Sequence, residues 1–198
     1  MNRKRTAGRH RYHNRVRIPG EPRWLPPAVL GRGRLPPALA TWLLDDSSLT
    51  RRLQARCQGD FRVRVRSQGW ERPLEDERRS LGMRRGVLAW VRQVHLLCDG
   101  RPWVYARTVI PATTLHGEQR RLLRLGERPL GAMLFADASV RRGALEVACI
   151  PSHQPLYHAA LPGKGRRPVW GRRSLFFFGA RPLLVSEIFL PALLERRD

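Results

Sequence analysis

Residues 87–98 read VLAWVRQVHLLC, residues 99–100 read Asp-Gly, and residues 101–110 read RPWVYARTVI. Two β-branched and aromatic runs on either side of a two-residue Asp-Gly turn are a strong signal of an antiparallel hairpin. With Asp99 and Gly100 in the turn, Cys98 faces Arg101 and the numbers of each facing pair add to 199. Leu96 then faces Trp103, Val94 faces Tyr105, Arg92 faces Arg107 and Trp90 faces Val109. Alternation puts all of these on one sheet face and His95 on the other. That face is apolar and aromatic except for two guanidinium groups side by side.

Like charges opposite one another destabilise a sheet, and burial adds a desolvation cost. An anion between the two groups relieves both, and the planar guanidinium fork suits a carboxylate. The expectation is a pocket for an anionic, partly apolar small molecule held by Arg92 and Arg107. The alternative is that one arginine reaches water or pairs with an acid such as Glu187. Glu187 is the polar exception in the apolar run LLVSEIFLP, sharing a face with Leu183, Val185 and Phe189. A carboxylate there either neutralises an arginine or offers a proton as a general acid.

Outward from the hairpin, PALATWLL (37–44) and SSLTRRLQARC (47–57) read as helices, the second capped by Ser47 or Ser48. FRVRVR (61–66) alternates as a half-exposed strand. EQRRLLRL (118–125) reads as a helix stopped by Gly126, and 129–135 as another short one. Further strands are expected at 144–150, 174–178 and 183–190, the last two joined around Gly179-Ala180. Residues 151–169, rich in proline and glycine, read as a long loop. Strands dominate and βαβ alternation is missing, so the class is α+β with an antiparallel sheet.

The chain has 198 residues and a formal net charge of +22. This length suits one domain plus a tail, and the 42% hydrophobic content argues against general disorder. No apolar run approaches the roughly 18 residues that span a bilayer, so membrane insertion is not expected. The charge invites a nucleic-acid reading. However, 36 of the 38 basic residues are arginine, as a GC-rich gene would impose, and most are spread along the chain. The concentrated part is 1–35, ten basic residues against Glu21, which reads as a flexible basic arm. Nucleic-acid binding by that arm is the weaker reading, and deleting it would decide the matter. His10 and His13 lack companions for a metal site, and none is expected. Cys57, Cys98 and Cys149 are odd in number and far apart, so neither a disulfide framework nor a zinc ribbon is expected, and a reducing compartment is.

Several segments together resemble the chorismate pyruvate-lyase (4-hydroxybenzoate synthase) family: WLLDDSSLTRRL (42–53), WVRQVHLLCDGRPWVYARTVIP (90–111), LGERPLGAMLF (125–135), WGRRS (170–174) and RPLLVSEIFLP (181–191). The resemblance implies a single antiparallel sheet with helices covering a buried ligand pocket across residues 36–198, with 151–169 as an insertion. It also implies cleavage of chorismate to 4-hydroxybenzoate and pyruvate in ubiquinone biosynthesis, by a cofactor-independent, cytoplasmic, monomeric enzyme. By the same resemblance Arg92, Arg107, Leu130, Leu49 and Glu187 contact substrate, with Glu187 and Arg92 catalytic. Leu49 stands where the family often carries methionine. A non-catalytic sensor of an aromatic carboxylate on the same fold is the competing reading.

Overall fold

The computed structural model describes residues 18–161, 163, 165 and 167–195. The helices, in chain order, are α1 (Pro27–Leu30), α2 (Pro37–Leu43), α3 (Leu49–Arg56), α4 (Glu75–Ser80), α5 (Leu130–Ala136) and α6 (Pro155–Ala160). The strands are β1 (Phe61–Glu71), β2 (Ala89–Cys98), β3 (Arg101–Pro111), β4 (Val140–Arg142), β5 (Glu146–Ile150), β6 (Val169–Phe178) and β7 (Arg181–Phe189). They form one antiparallel sheet in the order β1-β2-β3-β7-β6-β4, with β5 also on β6. This is the expected α+β class. The segment expected as a helix at 118–125 winds as a 3-10 helix, Gly117–Arg124.

The β2–β3 turn forms at Asp99 and Gly100, both at positive φ (46° and 75°), as a tight hairpin requires. Cys98 faces Arg101 and Leu97 faces Pro102 as expected, but then the register slips, and Leu96 faces Val104 rather than Trp103. Pro102 has no N–H to give the ladder, and proline inside a sheet is confined to edges, strand starts and bulges. Trp103 is the extra residue. A one-residue slip sends every later side chain to the other face. Arg92 therefore faces Thr108, Arg107 faces Gln93, and the two arginines lie on opposite sides of the sheet. The expected Arg92–Arg107 pair does not form.

One face, which we call the front, is covered by α2, α3 and α5. Its core comprises Trp42, Leu43, Leu53, Val94 and Phe189 at one end. At the other end it comprises Ile110, Leu122, Leu134, Phe176 and Leu183. On the back face, α6 packs Leu156, Tyr157 and Ala160 against Tyr105, Ile150 and Ile188. The segment expected as a loop at 151–169 thus contains a helix and covers the back of the sheet. His95 lies on the back as expected, its Nε2 3.0 Å from the carbonyl of Ala160.

Part of the expected basic arm belongs to this packing. Trp24 is buried against the back cluster, and Leu25 pairs with Val147. The Glu21 carboxylate accepts the backbone N–H groups of Glu75 and Asp76 at 2.8 Å each. Residues 1–17, with His10, His13 and most of the arm's charge, lie outside the described residues.

The cysteine expectation also needs correction. Cys57 follows α3 and Cys98 ends β2, and the fold brings them to a Cα–Cα distance of 5.7 Å as a disulfide; Cys149 is free. Spacing along the chain carried no hint of this, because Cys57 meets the hairpin only after α3 has docked on the sheet. Alkylation of unreduced, denatured protein is expected to label one thiol, Cys149, rising to three after reduction; three labelled without reductant would contradict the bridge.

Arg107 is 7% exposed on the back face. Its Nε donates to Glu77 Oε1 at 2.8 Å and its terminal nitrogen to Oε2 at 3.1 Å. Glu71 lies 3.7 Å away. Glu77 Oε2 also accepts the N–H of Leu74 at 2.9 Å, so one carboxylate both starts α4 and ties it to the sheet. Coulombic attraction to Glu77 and the hydrogen bonds hold the Arg107 pKa above its ordinary value against the opposing effect of burial. Removing one partner of a buried pair leaves the other charged and unpaired. Glu77→Ala is expected to lower unfolding free energy by about 3–5 kcal/mol in urea titration, and Glu77→Leu with Arg107→Met to recover most of the loss. Near-neutral behaviour of Glu77→Ala would contradict a structural role for this pair.

Candidate functional site

The front face holds a cavity of about 40 Å³ that is partly open to solvent. Its floor is the sheet: Arg92 and Val94 on β2, Ala106 and Thr108 on β3, Val185 and Glu187 on β7, and Phe176 on β6. The two central residues, Ala106 and Thr108, are small, and this leaves room above β3 between the longer side chains of β2 and β7. The roof is made by Leu49 and Thr50 at the start of α3 and by Leu130, Gly131, Leu134 and Phe135 of α5. The helices meet closely there, since a methyl group on Gly131 would sit 3.0 Å from Thr50 Oγ1.

Arg92 is 2% exposed. Its guanidinium donates to Gln68 Oε1 and to the carbonyl of Arg128, both at 3.3 Å. Among the described residues no carboxylate lies within ion-pair distance of it. Burial holds its pKa below the ordinary guanidinium value, yet arginine stays charged in proteins. A buried cation with two long neutral hydrogen bonds calls for an anion.

Glu187 stands two strands away and two residues along the ladder, about 12 Å at sheet spacing. Its Oε2 accepts Nε of Arg172 at 2.6 Å. Among the described residues nothing donates to its Oε1. Arg172 is 1% exposed, and its NH1 also donates to the carbonyls of Trp42 (2.8 Å) and Asp45. The cavity is thus lined by a guanidinium at one side, a carboxylate oxygen at the other and apolar surface between. This arrangement can take a partly apolar anion at the guanidinium and a hydrogen-bond donor at the carboxylate.

Of the residues expected in the site, Arg92, Leu49, Leu130 and Glu187 line this cavity together. Arg107 does not, because the ladder slip turns it to the back, where Glu77 holds it. Glu187 does pair with an arginine, not with Arg92 or Arg107 but with the unassigned Arg172. A readable signal existed for it. With Gly179 and Ala180 as a two-residue turn, facing pairs on β6 and β7 add to 359, and Arg172 faces Glu187. That hairpin holds one register from Phe178–Arg181 to Trp170–Phe189.

Two solved structures share the fold. PhnF from Mycobacterium smegmatis matches with a TM-score of 0.53 at 14% identity, over 77% of this chain and 67% of that one. A GntR-family transcriptional regulator from Bacillus cereus matches with 0.52 at 11% identity, over 71% and 98%. At such identities the likeness speaks for the fold alone. Sequence relatives are much nearer. A protein of Methylococcus capsulatus named "Probable chorismate pyruvate-lyase" is 48% identical over 159 residues, covering 79% of this chain and 97% of its own. One of Aromatoleum aromaticum with the same name is 45% identical over 168 residues, covering 83% and 90%. The chorismate lyase family pattern matches residues 19–198. With nearly all of the folded chain inside that match, the protein belongs to the chorismate lyase family.

Proposed function

We propose that the chain is a chorismate pyruvate-lyase, releasing pyruvate from chorismate and leaving 4-hydroxybenzoate. The observation that carries this reading is the buried Arg92 guanidinium without a carboxylate partner, facing Glu187 across an apolar cavity. Chorismate is a cyclohexadiene with a ring carboxylate, an enolpyruvyl ether at C3 and a hydroxyl at C4. Arg92 grips the ring carboxylate, Leu49 and Leu130 at the starts of α3 and α5 close on the ring, and Glu187 Oε1 accepts the hydroxyl proton in a hydrogen bond.

The C3–O bond breaks and its electron pair leaves with the ether oxygen, which becomes the carbonyl of pyruvate. The enol double bond takes up the proton from C4 at its methylene carbon, and the C4–H electron pair completes the aromatic ring. Atoms and electrons balance without oxidant, reductant or water, so the reading needs no cofactor. Aromatisation drives the step, and the protein's task is orientation and stabilisation of developing charge. Glu187, fixed by Arg172, orients the hydroxyl-bearing carbon so that its hydrogen lies under the enolpyruvyl methylene.

Among the described residues no helix is long and apolar enough to cross a membrane. A cytoplasmic monomer supplying ubiquinone biosynthesis belongs to the same proposal. The sensor reading draws on the shared fold of regulator domains, but it leaves the 42–48% identical relatives unexplained. Arg92→Ala and Glu187→Gln are each expected to lower chorismate turnover by about 10²-fold or more, the scale of one positioned charge or acid. Pyruvate release is the measurement, and activity near wild type in either variant would remove that residue from the site.

A further inference from the structure

Arg92 accounts for one anionic group of a ligand, yet the front face carries more positive charge than that. Three arginines of the front strands, Arg92, Arg142 and Arg172, stand near Glu187, and the Asp45 and Asp46 carboxylates also act on Arg142. Arg172 is committed to Glu187 and to two backbone carbonyls. Arg92 and Arg142 remain, and neither has a carboxylate within ion-pair distance among the described residues. In the strand order β2-β3-β7-β6-β4 they lie on either side of Glu187.

Arg142 sits at the rim of the cavity. Its guanidinium lies 5.5 Å from the ring centroid of Phe176, a floor residue. Nε donates to Ser174 Oγ at 3.1 Å and NH1 to the carbonyl of Asp46 at 2.8 Å. NH2 has no acceptor among the described residues. Burial, and then the nearby Arg172 charge, hold the Arg142 pKa below its ordinary value.

The carbonyl that Arg142 grips is two residues from Ser48. Ser48 occupies the cap position of α3, yet its hydroxyl makes no capping hydrogen bond. It is 6% exposed, and its Oγ has no hydrogen-bond partner among the described residues. A cap serine that does not cap, buried and unpaired, is a polar group awaiting a partner. Ser48 lines a recess shared with Arg51 and Phe135, and Phe135 also lines the cavity. Phe135 stands edge-on to Phe176 at 6.1 Å, so the recess and the cavity meet beside the ring over which Arg142 lies.

We propose that Arg142 and Ser48 form a second anionic subsite at the cavity rim, which takes the carboxylate of the enolpyruvyl side chain. This rests on chorismate being the substrate. The ring carboxylate at Arg92 puts C4 and its neighbour C3 at the Glu187 end, so the side chain on C3 emerges toward β6 and β4. Held there, the enolpyruvyl chain is kept from rotating away from C4, and proximity of the methylene to the C4 hydrogen is gained by binding.

The test compares two ligands that differ in this group. 4-Hydroxybenzoate has the ring carboxylate and hydroxyl but no side chain. In the full chain, Arg142→Ala is expected to raise KM for chorismate by about 10- to 100-fold, the scale of a lost charge-assisted contact. Ser48→Ala is expected to raise it by about 3- to 10-fold, and Arg142→Lys to fall between wild type and Arg142→Ala. All three should bind 4-hydroxybenzoate within about twofold of wild type, which also reports that they are folded. Unchanged KM in Arg142→Lys and Ser48→Ala, or a parallel loss of 4-hydroxybenzoate affinity, would overturn the subsite. If the wild-type chain releases no pyruvate, the lyase reading fails by itself, and the subsite is then read from the Kd of chorismate against that of 4-hydroxybenzoate in the same variants.

Discussion

A slip of one residue in the β2–β3 ladder decides which charges the sheet pairs within itself and which it leaves facing the cavity. Trp103 is the extra residue, and β3 runs on with its faces exchanged. Without the slip, Arg92 and Arg107 would crowd one cavity and Ala106 and Thr108 would point away from it. With it, two small side chains form the centre of the floor, and the cavity lies above them. Arg107 joins the ion pairs on the back face, which bind α4 to the sheet.

The two faces use the same chemistry to opposite ends. On the back, Arg107 has Glu77, and Arg173 has Glu146 at 2.8 Å and Asp76. Each guanidinium meets carboxylates supplied by the chain. On the front strands, Arg172 is treated in this way, and its partner Glu187 lines the cavity. Buried ion pairs contribute little net stability but are costly to break, so the back face holds its helices in one arrangement. An unpaired buried guanidinium on the front is a cost to the free protein that a bound carboxylate removes. On the proposed function, part of the ligand's affinity comes from a charge the fold leaves unmatched.

The Asp-Gly turn, the α+β class and the polar exceptions Arg92 and Glu187 were legible because each depends on short-range pattern, whereas Leu49 and Leu130 were singled out by the family resemblance alone. Alternation in LLVSEIFLP exposes Glu187 as the exception on an apolar face, whatever else the chain does. The partner of Arg107 was not legible. It depends on the bulge, which a proline in the strand hints at without fixing its position, and on Glu77, thirty residues away in a helix too short to announce itself. The Cys57–Cys98 bridge and the docking of Trp24 escaped for the same reason, since both are made by tertiary packing. Arg172 is the instructive case. The facing-pair sum fails in the first hairpin beyond Pro102, where Trp103 is extra, but it holds along the whole second hairpin and pairs Arg172 with Glu187, although Pro182 stands in the same place after its turn as Pro102.

The central claim is that Arg92 is held unpaired for a ligand, and thermal unfolding of Arg92→Met with and without 4-hydroxybenzoate tests it most directly. Replacing an unmatched buried charge with an apolar side chain of similar length should leave the melting temperature of the free protein unchanged or higher. The upward shift that 4-hydroxybenzoate gives the wild-type chain should be lost in the variant. A variant that melts lower than wild type by itself and still gains the full shift would show that Arg92 serves the fold and not the ligand.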